Sequence, residues 1–176
     1  PVVADIKKGS NETTIPGPWK VSFPPNWGAP PSVVFDQLIS WTESENTGIK
    51  YFSGTAVYHN SFKVTVGAGK KKIILNLGEL RDVAEVFING KSAGILWKKP
   101  YQADISQLVQ PGTNDLKIEI VNMWINRITG DTLLNPKDRF CKTNQSFMKK
   151  EVWPGGDEPF RIQTAGLLGP VTLIEK

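Results

Sequence analysis

Trp124, Asn126, Arg127 and Asp131 fall within eight residues of one another. No other stretch of the chain gathers so many side chains suited to holding a polyol. An indole face packs on C–H surfaces, and amide, guanidinium and carboxylate groups can each bond pairs of hydroxyls. Trp97 and Tyr101, on either side of Lys98-Lys99-Pro100, form a second and smaller group. The architectural alternative carries more weight: Trp124 would cap a core, Arg127 would pair with Asp131 four positions on to fix a loop, and Trp97 would pack.

Other chemistries find less support. Glycoside cleavage needs two facing carboxyl groups roughly 5 to 10 Å apart, and the acidic residues point to no such pair. Glu85 and Glu119 read as outward positions on strands, and Asp104 as a turn cap before Ile105-Ser106. His59 is the single histidine, and no Gly-x-Ser-x-Gly elbow accompanies it to present a serine. Cys141, the single cysteine, lacks the context of a nucleophile and leaves the redox compartment open. Neither cysteines nor histidines cluster at metal-ligand spacing, so no metal and no cofactor is assigned. The glycines at 67, 69, 155 and 156 join no strand to a helix in the order a phosphate cradle requires.

The net charge of +4 is spread over short lysine groups at 70–72, 98–99 and 149–150. Such runs are solvated turns, and the basic strand with interleaved aromatics that nucleic acid demands is missing. No run approaches the roughly 20 apolar residues of a membrane span. The expected partners therefore include neither nucleic acid nor membrane. The chain opens at Pro1 with neither an initiator methionine nor a signal-peptide pattern, and reads as a piece cut from something longer.

The elements that would hold these residues are strands. Val83 to Ile88, the Asn89-Gly90 pair and Ser92 to Trp97 read as a hairpin closed by a two-residue turn with positive φ at both positions. After the turn cluster Pro111-Gly112-Thr113-Asn114, Leu116, Ile118 and Ile120 alternate with Lys117 and Glu119, a strand with one wet face. Further strands are expected at 19–23, 32–35, 51–52, 55–60, 62–66, 72–77 and 169–175. Pro24 to Pro31 must be loop. Residues 1–15 read as a leader that wraps the domain or frays, and residues 16–176 as one domain. From Trp124 to Pro159 the pattern fails and a long excursion is expected, with one helical turn near Pro136 to Arg139.

Taken together, Val86-x-Ile88-Asn89-Gly90, Gly94, Asp104-Ile105-Ser106, Pro111-Gly112-x-Asn114 and the strand after it resemble the sugar-binding jelly-roll domain of family 2 glycoside hydrolases. Gly17-Pro18-Trp19, Trp27-Gly28, Gly48 to Tyr58, Asn122-x-Trp124-x-Asn126-Arg127-x-x-Gly130-Asp131 and Gly166 to Val171 extend the likeness to the terminal β-domain of family 106 α-L-rhamnosidases. The resemblance implies an all-β, galactose-binding-like jelly-roll sandwich of about eight antiparallel strands. It also implies a non-catalytic accessory role, in which the domain buttresses the catalytic domain of a parent enzyme and contacts a plant or microbial polysaccharide. A free-standing carbohydrate-binding module is the alternative; a self-sufficient glycosidase is disfavoured by the missing acid pair. Folds of this type often hold a structural calcium, but no acidic loop has spacing that assigns one. The resemblance further implies export in a bacterium, to the periplasm or beyond.

Overall fold

The computed structural model describes residues 4–5, 12–64, 72–142 and 162–176. In chain order its strands are β1 (Ala4–Asp5), β2 (Glu12–Thr14), β3 (Trp19–Ser22), β4 (Ser32–Phe35), β5 (Thr55–Val64), β6 (Ile73–Asn76), β7 (Glu79–Arg81), β8 (Val83–Ile88), β9 (Lys91–Leu96), β10 (Gln102–Asp104), β11 (Gly112–Val121), β12 (Gly166–Gly169) and β13 (Thr172–Glu175). Two short helices, α1 (Thr47–Lys50) and α2 (Ile125–Thr132), lie at the ends of strands. The main sheet runs β4-β3-β5-β11-β8-β9, with β1 added in parallel beside β5; a second runs β10-β6-β13-β2, and β12 pairs with β7. No helix among the described residues is long and apolar enough to cross a membrane.

The core follows from alternation. In β8 every second residue, Ala84, Val86 and Ile88, is buried, and in β11 so are Leu116, Ile118 and Ile120. Antiparallel register sets Ile118 opposite both Val86 and Tyr58, and Leu116 opposite Ile88, so these side chains form continuous inward rows. Ile73, Leu75 and Leu173 of the second sheet close the same core from the other side. Each such buried side chain contributes about 1.5 to 3 kcal/mol.

The Asn89-Gly90 turn is as expected, with φ of 52° and 78°. The Asn89 side chain ties this turn to the next, donating to Oδ1 of the enclosed Asn114 at 2.8 Å and to the Leu108 carbonyl at 3.0 Å. A Cβ placed on Gly90 would meet nothing within 4 Å. The penalty for a side chain there is therefore torsional alone, and Gly90→Val is expected to lower unfolding free energy by about 1 kcal/mol, read from the urea midpoint.

Trp41, Tyr58 and Leu167 form a buried polar point inside the apolar core. Nε1 of Trp41 donates to the Tyr58 hydroxyl at 2.5 Å, and the Leu167 amide approaches the same oxygen at 3.4 Å. Burial pushes the Tyr58 phenol up to about 12, against the smaller opposing effect of these two donors. The unfolded chain then loses its proton near the ordinary tyrosine value while the folded chain retains it. Stability is fully present below about pH 10 and falls by about 2 to 3 kcal/mol as pH rises to 12. Tyr58→Phe is expected to lose this alkaline limb in pH-dependent thermal melts, and to start from lower stability because the Trp41 donor is orphaned.

Several sequence expectations need correction. Among the described residues thirteen strands stand where about eight were expected, because short edge pairings such as β2 with β13 and β7 with β12 carry no periodic signal of their own. Residues 55–60 and 62–66 were expected as two strands, yet β5 runs unbroken through Asn60-Ser61, where Leu116 and Asp115 of β11 continue the ladder. Gly112 to Asn114 begin β11 instead of completing a turn. Tyr51 and Phe52 follow a helical turn, not a strand; Asn46 caps it by accepting from the Gly48 amide at 2.9 Å. The expected strand at 169–175 is shortened to β13, with Gly169 instead closing β12. The expected helical turn is present at Pro136–Asp138. The expectations for residues 1–3, 6–11, 65–71 and 143–161 lie outside the described residues.

Candidate functional site

Residues 124–131 are not loop. Trp124 is the N-cap and the others lie within α2, a helix whose buried positions are Gly130 and the polar Asn126, Arg127, Thr129 and Asp131. Such a helix is held by hydrogen bonds to the sheet end. The Asn122 carboxamide accepts from the Gly54 amide at 2.9 Å and donates to the Phe52 carbonyl at 3.0 Å. The Ser53 hydroxyl donates to the Met123 carbonyl at 2.8 Å and accepts the Arg127 amide at 3.0 Å. The opening of α2 is thereby fixed to the segment that enters β5.

Three of the expected contact residues, Asn126, Arg127 and Asp131, are withdrawn from solvent. Asn126 is a correction: Gln163 takes its carboxamide on both sides, with Nδ2 donating to the Gln163 carbonyl and Oδ1 accepting the Gln163 amide, each at 2.7 Å. It splices the end of the chain onto α2 and, enclosed there, meets no solvent. Arg127 is 3% exposed, so it is no open fork. Its Nε lies 3.1 Å from Oδ1 of Asp131, and its guanidinium carbon lies 4.5 Å from the centre of the Phe140 ring. The ion pair is close but misaligned. Neither Nε nor Nη1 finds a hydrogen-bond acceptor, and Oδ1 finds no donor. The other carboxylate oxygen of Asp131 accepts the Cys141 amide at 2.7 Å. Burial, with the Asp131 charge next, pushes the Cys141 thiol up, so it is a poor nucleophile.

Beside this pair lies a cleft of about 290 Å³ lined by Gly28, Thr47, Gly48, Tyr51, Arg127, Gly130, Leu133, Leu134 and Phe140. Its neighbour Trp27 donates to the Ser53 carbonyl and meets the rings of Trp124 and Phe140 edge-on, at 5.7 and 6.1 Å. Trp124 itself is 55% exposed. It does not cap the core.

The other expected group stands at the same end of the main sheet. Trp97 follows Leu96, which is paired with Ala84; Val83 is paired with Val121, so Trp97 and Trp124 are separated by the width of β8 and β11. Trp97 is 64% exposed, with the Lys98 ammonium 5.1 Å from its ring centre. A second cleft, of about 390 Å³, is lined there by Leu80, Arg81, Asp82, Lys99, Tyr101, Met123, Gln163 and Thr164. Asp82 holds a φ of 75° in this wall, and burial raises its carboxyl above the usual range. Asp104 is a turn cap as expected, accepting from the Ser106 hydroxyl at 2.6 Å, which holds its carboxyl low. His59 lies in register with Lys20 and Lys117, and burial and these two ammonium groups keep it below its ordinary value. Among the described residues, no three His, Cys, Asp or Glu converge as a metal site.

Comparison with known proteins places this geometry. Residues 32–167 match the family model described as the glycosyl hydrolase 2 galactose-binding domain-like family. The chain belongs to this family. A protein of Formosa agariphila assigned as a beta-glucuronidase is 37% identical to this galactose-binding-like domain, over 97% of the chain and 16% of the relative. The rhamnosidase of Novosphingobium sp. PP1Y superposes with a TM-score of 0.74 at 33% identity, covering 97% of the chain and 16% of that enzyme. The Ruminococcus gnavus beta-glucuronidase shares the fold at a TM-score of 0.64 and 21% identity, over 97% of the chain and 29% of its own. The chain thus spans about a sixth of the length of the first two relatives.

The sequence did not single out Gly28, Thr47, Tyr51 or Phe140 as neighbours of Arg127. The one available signal was Asn46-Thr47-Gly48, whose asparagine caps the helical turn that delivers Tyr51. The two ends of α2 separate experimentally. Arg127→Ala strands a buried carboxylate and should cost about 3 to 5 kcal/mol, whereas Trp124→Ala removes an edge contact worth about 1 kcal/mol. Denaturant midpoints of the two variants check this.

Proposed function

We propose that the domain serves a larger α-L-rhamnosidase or related glycoside hydrolase by buttressing its catalytic domain and by contacting glycan, in an enzyme exported to the periplasm or outside a bacterial cell. The observation that carries the buttressing is the run of exposed apolar side chains at one end of the main sheet. Val83 and Val121 face each other across β8 and β11, Ile95 and Trp97 continue the surface on β9, and Met123 and Trp124 extend it past β11. Soluble monomers rarely leave so much apolar surface contiguous, and such surfaces mark protein contacts. The polar rim fits an interface within a chain: Glu85, Ser92, Lys98 and Lys99 surround the apolar side chains, and the Ser92 hydroxyl donates to Glu85 at 2.9 Å.

The glycan half of the reading is supported by exposed Trp97 and Trp124 and by Tyr101 in the wall of the second cleft. Export is tested by fractionating cells that produce the parent polypeptide. For docking, the domain and the catalytic domain of its parent are produced separately and mixed. They should co-elute, and Val121→Glu combined with Trp97→Glu should weaken the association by about tenfold or more, since each buries an unpaired charge at the contact. Failure to associate at all, with both parts folded, would remove the buttressing role.

A further inference from the structure

We infer that the exposed apolar surface of the main sheet receives an arginine from the catalytic domain of the parent enzyme, its guanidinium lying between the carboxylates of Glu85 and Glu119. The inference rests on the buttressing half of the reading above and names the chemistry of the partner at that contact.

The starting point is a pairing that a sheet does not favour. Glu85 on β8 and Glu119 on β11 stand directly opposite in register, half-buried on the outward face. Positions opposed in this way hold their Cβ atoms about 4.5 to 5.5 Å apart, and like charges there repel. The two carboxylates are not equally compensated. Nζ of Lys117 lies 2.8 Å from Oε1 of Glu119 and 3.8 Å from the centre of the Phe87 ring, so its charge is already engaged. Glu85 accepts from the Ser92 hydroxyl at 2.9 Å, and among the described residues no ammonium or guanidinium forms an ion pair with it. Two carboxylates and one ammonium leave one negative charge on this face.

Position decides what that charge demands. Of the polar groups around the apolar surface, Glu85 is set deepest into it: Val83 and Phe87 flank it along β8 on the same face, and Ile95 is its partner on β9. Val83 and Ile95 are both exposed, so a body packed on the two of them passes over the Glu85 carboxylate and takes it out of water. A carboxylate enclosed there stays ionised only if the covering body brings a cation. The rest of the parent polypeptide is the source of that body, since the chain spans about a sixth of the first two relatives. A metal ion is a poorer fit, because among the described residues no third His, Cys, Asp or Glu joins the two carboxylates. Between the cationic side chains, two carboxylates side by side on a flat face suit a planar fork with donors along both edges, and a weakly hydrated guanidinium enters an apolar contact more readily than an ammonium.

The test uses the parent polypeptide with a specific protease site introduced on each side of the chain, so that the parts fold together before they are cut. After cleavage the wild-type parts should stay associated and separate only on dilution. Glu85→Gln and Glu85→Leu should each weaken the association by about tenfold or more, while Glu85→Asp keeps most of it. The leucine variant is the sharper, because it enlarges the apolar surface and would tighten a contact that needs no cation. In the chain alone both variants relieve the repulsion between β8 and β11, so their melting temperatures should equal or exceed that of the wild type, which separates lost docking from lost folding. Phenylglyoxal labelling of the uncut parent, read by mass spectrometry, should find an arginine outside the chain that is protected in the wild type and reactive in Glu85→Gln. The inference is overturned if Glu85→Leu associates as tightly as the wild type or more so, if no arginine is released, or if the chain alone self-associates through Glu85, which makes a second copy the occupant. Wild-type parts that separate at every concentration remove the buttressing reading and the inference with it; wild-type association indifferent to Glu85 removes the inference alone.

Discussion

The carboxamide of Asn122 spans the gap between the end of β11 and the entry to β5, bonding Gly54 on one side and Phe52 on the other. With the Ser53 hydroxyl bridging Met123 and Arg127, it fixes where the chain leaves the sheet and in which direction it continues. The placement of α2 depends on this, and with it the position of Arg127 against Phe140 and the wall of the first cleft. A helix whose inward face is polar cannot be held by apolar burial. Its position must come from directed hydrogen bonds, which fix geometry more narrowly than oil-like contact does.

The buried ion pair of α2 belongs to the same logic. Burying an arginine and an aspartate gains little net stability relative to apolar packing, because desolvation offsets the attraction. What it supplies is a rigid pair of charges flanked by a ring and by glycines whose backbones come close. At Gly130 a Cβ would lie 2.5 Å from Cβ of Tyr51 and 2.6 Å from Nη2 of Arg127, and at Gly166 one would lie 2.6 Å from Nε1 of Trp41. The sandwich end is thus packed around positions where only glycine fits, a constraint that favours fixed geometry over adaptability.

How much of this was legible in the sequence depended on where each element gets its order. The β8–β9 hairpin, the alternation of β11 and the Asp104 cap were readable because their signals are local: a turn pair with positive φ, a two-residue period, a carboxylate two positions before its serine. The helix α2 was not readable. It has Trp124 at its N-cap with no side-chain bond and Gly130 in its interior, so its ends and interior carry no helix signal, and although its polar and apolar residues separate with a helical period, it is the polar side that is buried. Asn126 and Arg127 looked like surface groups for the same reason: only the sheet end and Gln163, distant in sequence, show that they are enclosed. The cleft joins residues 28, 47–51 and 127–140, a combination without sequence periodicity.

The pairing of β2 with β13 has a mechanical consequence. These strands run antiparallel, with Glu12 opposite Ile174 and Thr14 opposite Thr172, and the Thr172 hydroxyl donates to the Glu12 carboxylate at 2.7 Å. The chain arriving at β2 and the chain departing from β13 therefore meet the sheet at the same edge. Tension applied across Glu12 and Glu175 loads the ladder bonds one after another, as in a zipper, whereas strands pulled from opposite ends would share the load in shear. Along this axis the domain would yield by peeling, at low force, with the rows of Ile118, Val86 and Tyr58 still closed behind the parting edge.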